Sequence, residues 1–434
     1  MRGTPEPSSI STKQVRIAEL AKQMPGVAIR TLAHHMDLDW LREAHRRTRK
    51  DGATGVDGET AEEFTAELDS RLAVLLDRAK SGMYRAPPVR RVEIPKASGG
   101  TRPIGIPTYE DKVLQRGVHM LLEPLYEQEF YDFSYGFRPG RSAHDALDAL
   151  REALWKMGGG WVVDADVSKF FDTLDHAKLQ DLLSQRVTDG VVKRLVGKWL
   201  NAGVLDGGVV SRSPIGTPQG GVISPLLANI YLHEALDKWW VRDVLPRLRG
   251  RAVLIRYADD FVMAFSDHAD ALRVMKVLPE RLARFGLTLH AEKTRLIDFQ
   301  SPAWRGEDPG TFDFLGFTFY WARSRRDTWA LKRQTAKSRL TRSLRALKDW
   351  MRAVRHEPLA RQAEQLARKM RGHFNYFGIR GNSAGIGRFA HWAIELWRKA
   401  LARRSQRGMT WARFRRILVR HPLPVPRLAL RHQD

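Results

Sequence analysis

The sequence predicts an α+β core followed by an all-α, strongly basic C-terminal region. Three observations lead there. Strand patterns and helix patterns mix through residues 38–322 without the regular strand–helix alternation of a parallel α/β sheet. From Thr335 onward the pattern is helical and basic. The charge is split: residues 1–320 carry 44 Lys+Arg against 43 Asp+Glu, whereas residues 321–434 carry 29 against 6. Nearly all of the net +24 therefore sits in the last quarter, as expected of a balanced globular body joined to a part that grips a polyanion. With 434 residues, 43% of them hydrophobic, the chain can bury the cores of two or three domains. It has no Cys, which excludes disulfides, zinc ribbons and thiol nucleophiles and fits a reducing cytoplasm. The opening MRGTPEPSSISTK has no apolar signal segment, and there is no run of ~18 apolar residues, so no membrane association is expected.

Element by element, residues 1–35 are polar at first and then weakly helical. Residues 38–80 are helical apart from the glycine-bearing loop KDGATGVDGET at 50–60. RRVEIPKASGGTRPIGIPTYEDK (90–112) reads as strand, Gly-Gly turn and strand, with a helix following through Val113–Glu127. SYGFRPGRSAHDAL (134–147) is a basic loop entering a helix. WVVDADVSKFFDTLDH (161–176) opens as a strand and closes in a turn. The Gly-rich stretch from 213 leads into a helix with Ser224 as N-cap and Pro225 at its first position. IRYADDFVMAF (255–265) is a strand, a tight turn and a strand. A helix near 268–285, a strand near 287–298 and a hairpin at FDFLGFTFYWA (312–322) complete the mixed part. The helical tail is broken at GIRGNSAGIG (378–387).

Two acids in an apolar hairpin demand a reason. Asp259 and Asp260 stand between Leu254-Ile255 and Phe261-Val262-Met263-Ala264-Phe265, where unpaired carboxylates repel and raise each other's pKa. A divalent cation reverses that penalty, because Mg²⁺ prefers hard oxygen ligands. Asp166 is a third acid in an apolar strand, after Trp161-Val162-Val163 and before Val167. Were the two strands adjacent, Asp166, Asp259 and Asp260 could hold two Mg²⁺ ions, the arrangement for in-line phosphoryl or nucleotidyl transfer. The spacing of Lys96 and Arg102 across the Gly-Gly turn could bring both to a triphosphate. GTPQGG (216–221) lets backbone approach a ligand, and Phe171 could sit under a sugar ring.

In the tail, Arg and Lys interleave with Trp321, Trp329, Trp350, Trp392, Trp397 and Trp411. The tryptophans recur at helical spacing, so most are assigned to the core and the arginine face to RNA. The densest patch, ALARRSQRGMTWARFRR (400–416), offers Arg403, Arg404 and Arg407 as RNA contacts. His373, His391 and His421 lack metal spacing.

Eight blocks in order, DGATGVDG, IPKASGGTRPIGIP, SYGFRPGRSAHDAL, VDADVSKFFDTLDH, GTPQGGVISPLLANIYL, IRYADDFVMAF, GLTLHAEKTRLI and FDFLGFTF, resemble the group II intron-encoded reverse transcriptases. Residues 372–418 resemble that family's thumb and maturase region, domain X. The resemblance implies a right-hand polymerase with an N-terminal extension at 1–49, fingers and palm at 50–322, and a basic thumb/domain X at 323–434. It implies Asp166, Asp259 and Asp260 as the catalytic metal triad, with the Val167 carbonyl as a further ligand to two Mg²⁺ ions. Lys96, Arg102, Phe171 and Gln219 then contact the incoming dNTP, and Arg138 the template. FLGF (314–317) resembles the primer grip. The implied partners are an RNA template, intron RNA, and a DNA primer or target, with homodimer formation left open. Relatives with a C-terminal endonuclease carry paired cysteines; this sequence has none, so that module is not expected. Two alternatives stand beside a polymerase that also acts as a maturase: a reverse transcriptase domesticated in a CRISPR or phage-defence system, and a protein that is chiefly an RNA-binding splicing cofactor.

Overall fold

The computed structural model of the chain describes residues 9–95, 100–206, 209–211, 220–305, 309–404 and 408–428. It divides into two units, Met1–Leu296 and Ile297–Asp434. The first begins with α1 (Ile10–Gln23), capped by Ser9, whose hydroxyl accepts from the Thr12 amide at 3.2 Å, and α2 (Leu38–Arg47), capped by Asp37. A reciprocal capping box between Thr60 and Glu63 starts α3 (Ala61–Ala66), and α4 (Leu68–Ser81) follows. Strands β1 (Val89–Pro95) and β2 (Thr101–Ile106) form the expected hairpin, Ile94 opposite Arg102. Next come α5 (Tyr109–Tyr126) and α6 (Ala143–Met157), the latter with a Ser142–Asp145 capping box.

The sequence then runs through β3 (Trp161–Ser168), α7 (Phe170–Thr173), α8 (His176–Ser184), α9 (Gly190–Leu200), and the short strands β4 (Val204–Asp206) and β5 (Val209–Ser211). Helix α10 (Ser224–Leu232) begins one residue earlier than its sequence suggests, with Ile223 at the cap. It continues into two π-helical turns, His233–Asp237 and Trp240–Val244. Strands β6 (Ala252–Tyr257) and β7 (Asp260–Phe265), α11 (His268–Ala283) and β8 (Thr288–Leu289) close the unit. Two sheets result, in the orders β2-β1-β4-β5 and β6-β7-β3-β8. In the second, the β6–β7, β7–β3 and β3–β8 pairs are antiparallel, with Val163 opposite Met263 and Val167 opposite Leu289. Its strands pack against α6 and α11, and its apolar residues join a core that includes Trp40, Leu114, Leu121, Val163, Tyr231, Trp240 and Phe261.

Residues 9–49, expected as an extension, are woven into this unit. Asp189 accepts amides from both directions. One carboxyl oxygen takes Leu32 and Ala33 at 2.7 and 2.9 Å, and the other caps α9 through Val191 and Val192. Arg186 donates to the carbonyls of Met24 and Val27, and Ile29 pairs with Val187.

Strand β9 (Arg295–Asp298) spans the junction between the units. The second unit holds α12 (Pro302–Arg305) and a three-stranded sheet, β10 (Phe312–Phe314), β11 (Phe317–Arg323) and β12 (Trp329–Thr335). Its helices are α13 (Lys337–Ala353), α14 (Leu359–Phe377), α15 (Ser383–Ala402) and α16 (Trp411–Arg420). The unit thus starts at 297 rather than at the expected 323. The reason is local: the predicted 312–322 hairpin gains a third strand, β12, and within this unit Phe312 stacks on Phe319 and meets Phe299 edge to face. The expected break at 378–387 shrinks to the turn before Ser383, where Asn382 bonds the Thr335 amide and hydroxyl and the Phe377 carbonyl. Of the six tail tryptophans only Trp321 and Trp397 are buried; Trp392 and Trp411 are exposed. Among the described residues no helix is long and apolar enough to cross a membrane.

Candidate active site

The β3–β7 register sets Asp166 directly opposite Asp260. Tyr257 pairs with Asp260 across β6 and β7, so Ala258 and Asp259 form a two-residue turn at the end of the hairpin. All three acids therefore share one end of the β6-β7-β3 ladder, as directly opposed Cβ atoms lie about 5 Å apart. Burial raises the Asp259 carboxyl above its ordinary pKa, and Asp166 adds to the rise; the Asp259 amide, Arg102 and Arg256 pull the other way. Arg102, exposed on β2, lends its positive charge to the Asp259 carboxylate. Gly220, at φ +127°, lies against that same strand, where an added Cβ would sit 2.5 Å from the Gly105 carbonyl oxygen.

Asp166 has a partner that the sequence reading missed. Lys293 reaches its carboxylate at 2.5 Å, and the His290 amide donates to its backbone carbonyl at 2.8 Å. Among the described residues no three His, Cys, Asp or Glu side chains converge into a ready-made metal cage. The donor set nevertheless fits a hard divalent cation: three carboxylates on one ladder end, one of them with its pKa raised chiefly by burial and further by a neighbouring carboxylate. The signal for Lys293 was present in GLTLHAEKTRLI, but nothing local ties a lysine there to Asp166, 127 residues earlier.

A second omission lies beneath the turn. Arg256 is fully buried. Its guanidinium bonds both carboxylate oxygens of Asp237, at 2.8 and 2.5 Å, the Asn229 side-chain oxygen at 2.9 Å, and the Ala258 carbonyl at 3.1 Å. Burial alone would push the Asp237 carboxyl up, but the charge and hydrogen bonds of Arg256 hold it below its ordinary value. Asn229 also donates to the Gly136 carbonyl at 2.7 Å. The loop carrying Gly136 runs alongside β6, with Arg256 donating to Phe133 and Tyr135 donating to Arg256. Ala258 adopts φ +56°, a conformation glycine ordinarily supplies, so the turn is held rather than relaxed. A strand arginine among apolar neighbours was the visible hint, since a buried guanidinium must find partners.

The remaining expectations divide. Phe171 is half-buried, packed edge-on against Phe170 on α7, which directly follows β3. Val167 is buried and paired with Leu289. Lys96, Gln219 and Arg407 lie outside the described residues. Arg138, expected at the template, is corrected. It is buried, bonds Glu127 at 3.0 to 3.1 Å and the carbonyls of Tyr131 and Ser134 at 2.7 and 2.8 Å, and stacks over Phe130. Its donors are spent on folding its own loop. Arg404 is corrected likewise: it donates to the carbonyls of Arg355 and Glu357, tying α15 to the turn between α13 and α14. Arg403 remains exposed.

A sequence model of the family described as reverse transcriptase (RNA-dependent DNA polymerase) matches residues 94–319. Protein YkfC of Escherichia coli K12 is 37% identical over 286 residues, spanning 58% of this chain and 75% of that protein. The group II intron-encoded protein LtrA of Lactococcus lactis subsp. cremoris is 42% identical over 186 residues, 43% of this chain but only 30% of LtrA. The nuclear intron maturase 2 of Arabidopsis thaliana mitochondria is 28% identical over 171 residues, 30% of this chain and 23% of that protein. The chain belongs to the reverse transcriptase family of RNA-directed DNA polymerases.

Proposed function

We propose that this chain copies RNA into DNA by nucleotidyl transfer at Asp166, Asp259 and Asp260, and that it serves a group II intron. The observation that carries the reading is the cross-strand register of Asp166 with Asp260, with Asp259 in the adjoining turn. The three carboxylates and the Val167 carbonyl are the groups that would hold two Mg²⁺ ions, which when bound would supply charge neutralisation for the triphosphate and a lowered pKa for the primer 3′-hydroxyl. Arg102 steers the triphosphate toward the hairpin, consistent with its pull on Asp259. Lys96 and Gln219 complete the nucleotide contacts, and Phe171 supports the sugar. Lys293 balances the charge of Asp166 when no nucleotide is present.

The test is primer extension on poly(A)/oligo(dT) with wild type and Asp259→Ala. Wild type should incorporate dTTP at a rate the variant loses, with RNA affinity unchanged. Incorporation by wild type no faster than by the variant would sink the reading.

A second role as maturase is favoured by the basic charge of residues 321–434 and by the exposed Trp392 and Trp411. Both tryptophans lie beside cations, Lys399 at 6.0 Å from the Trp392 ring and Arg398 at 4.8 Å from that of Trp411. In a splicing assay with the host intron RNA, Asp259→Ala should keep full activity. Equal affinity for cognate and unrelated RNA would count against a dedicated maturase.

A further inference from the structure

We infer that Arg256, Asp237 and Asn229 form a positioning bracket that sets the height and tilt of the Ala258-Asp259 turn, and through it the catalytic carboxylates. The inference rests on the polymerase reading of those carboxylates. None of the three bracket residues reaches solvent or the expected substrate path: Arg256 and Asp237 are fully buried and Asn229 nearly so. Their role is exercised through one bond, from the Arg256 guanidinium to the Ala258 carbonyl at 3.1 Å. That carbonyl belongs to a residue at φ +56°, so the peptide entering Asp259 has a fixed orientation only while something holds it.

The helix is built to deliver the bracket. Asn229 lies on α10, and Asp237 ends the first π-helical turn eight residues later. In an uninterrupted α-helix, eight residues advance by two turns and about 80°, so the two side chains would diverge. The π turn absorbs one extra residue, which reduces the offset to about 20°. Both side chains then face Arg256, Asn229 at 2.9 Å from one terminal nitrogen and Asp237 bridging the other two donors. A π segment is rare and is kept where function rewards it. The reward here is a planar fork of donors, clamped on two sides, with the nitrogen bound to Asn229 aiming its second N–H at the turn. Asn229 extends the bracket to the neighbouring loop through the Gly136 carbonyl. The clamp acts on the cations' ligands as outer-shell partners act in metal sites generally.

The test separates positioning from bulk stability. In Arg256→Met/Asp237→Leu the buried pair is replaced together by apolar side chains, an exchange that buried pairs commonly tolerate without loss of fold. Asn229→Ala keeps the ion pair and removes one clamp. Each is compared with wild type and Asp259→Ala by thermal midpoint, RNA affinity, steady-state primer extension, and Mn²⁺ titration followed by electron paramagnetic resonance. The double variant should melt near the wild-type midpoint and bind RNA equally. Its kcat should fall about 10- to 100-fold, with KM for dTTP within about twofold and Mn²⁺ affinity about tenfold weaker. Asn229→Ala should move the same two quantities in the same direction by less. A folded double variant with wild-type kcat and Mn²⁺ affinity overturns the bracket. So does failure of both variants to reach the wild-type midpoint, because the network would then be a folding element. Wild type indistinguishable from Asp259→Ala in primer extension would refute the polymerase reading instead; the Mn²⁺ titration would still decide the bracket.

Discussion

Gly136→Ala places a single methyl group where the structure has no room for one. An ideal Cβ at Gly136 would lie 2.3 Å from the Ala258 amide nitrogen, 2.9 Å from the Tyr257 carbonyl carbon and 3.1 Å from the Ala258 Cα. All three are backbone atoms, so no side chain can rotate away. Ordinary contact begins near 3.4 Å, so the loop and the turn must part by about 1 Å. The turn is the one that carries Asp259, and the loop is tied to Asn229 through the Gly136 carbonyl. A displacement of that size at a catalytic group costs on the order of 100-fold in rate, and overpacking a tight contact costs about 1–3 kcal/mol of stability. The assay is primer extension with a parallel thermal melt, and Gly52→Ala, where nothing lies within 4 Å, is the control. The control should behave as wild type. Gly136→Ala with wild-type kcat and an unshifted melt would refute the claim that this close approach sets the turn.

Three further outcomes follow from buried groups. The Asp111 carboxyl is pushed up to about 6 by burial, despite bonds from Tyr84, Trp199 and Gln115. A carboxyl whose folded pKa exceeds its unfolded one stabilises the fold below pH ~4, and that contribution fades as pH rises through 6. Denaturant melts should therefore lose up to about 3 kcal/mol across this window, and Asp111→Asn should flatten the profile. His373 is pulled down to about 4 by burial, stacked 3.6 Å from Phe389. Here the neutral ring is the folded form, so the second unit should weaken as pH falls from 6.5 toward 4, and His373→Phe should remove that acid sensitivity in a pH-jump melt. Arg404→Ala should cost the second unit about 1 kcal/mol, because two turn carbonyls each lose one donor and keep Gln362 as the other. Arg403→Ala should leave the melt unchanged and instead reduce the salt slope of RNA binding in an anisotropy titration.

Much of this was legible from the sequence, for definite reasons. The strands of the Asp259-Asp260 hairpin were visible because short apolar runs flank two acids. The β1–β2 hairpin was visible because a Gly-Gly turn punctuates two alternating runs. Asp166 could be paired with them as soon as a second acid in an apolar strand was noticed. Interactions that depend on distant chain segments were not legible. Lys293 meets Asp166 across 127 residues, and Arg138 is consumed by a loop whose folding a local pattern does not reveal. The tail arginines looked alike because charge density does not distinguish an arginine facing water from one that ties helices together. The π turn was invisible for a different reason: it changes winding without changing composition. The third strand β12 was not legible because its sequence WALKRQT reads as basic tail, although its residues alternate in burial as those of β11 do.

Asp189 also constrains the timing of synthesis. It must bond Leu32, which leaves the ribosome 157 residues before it. At typical elongation rates of about 5–20 residues per second, the N-terminal segment waits roughly 8–30 s for its partner. Through that interval the segment around Ile29, Leu32 and Ala33, buried in the finished unit, lacks its partners at Val187 and Asp189. The nascent chain therefore carries this apolar segment without those partners for longer than collapse takes. It is the stretch where a holdase would bind first, and where slowing translation upstream of Asp189 would cost yield.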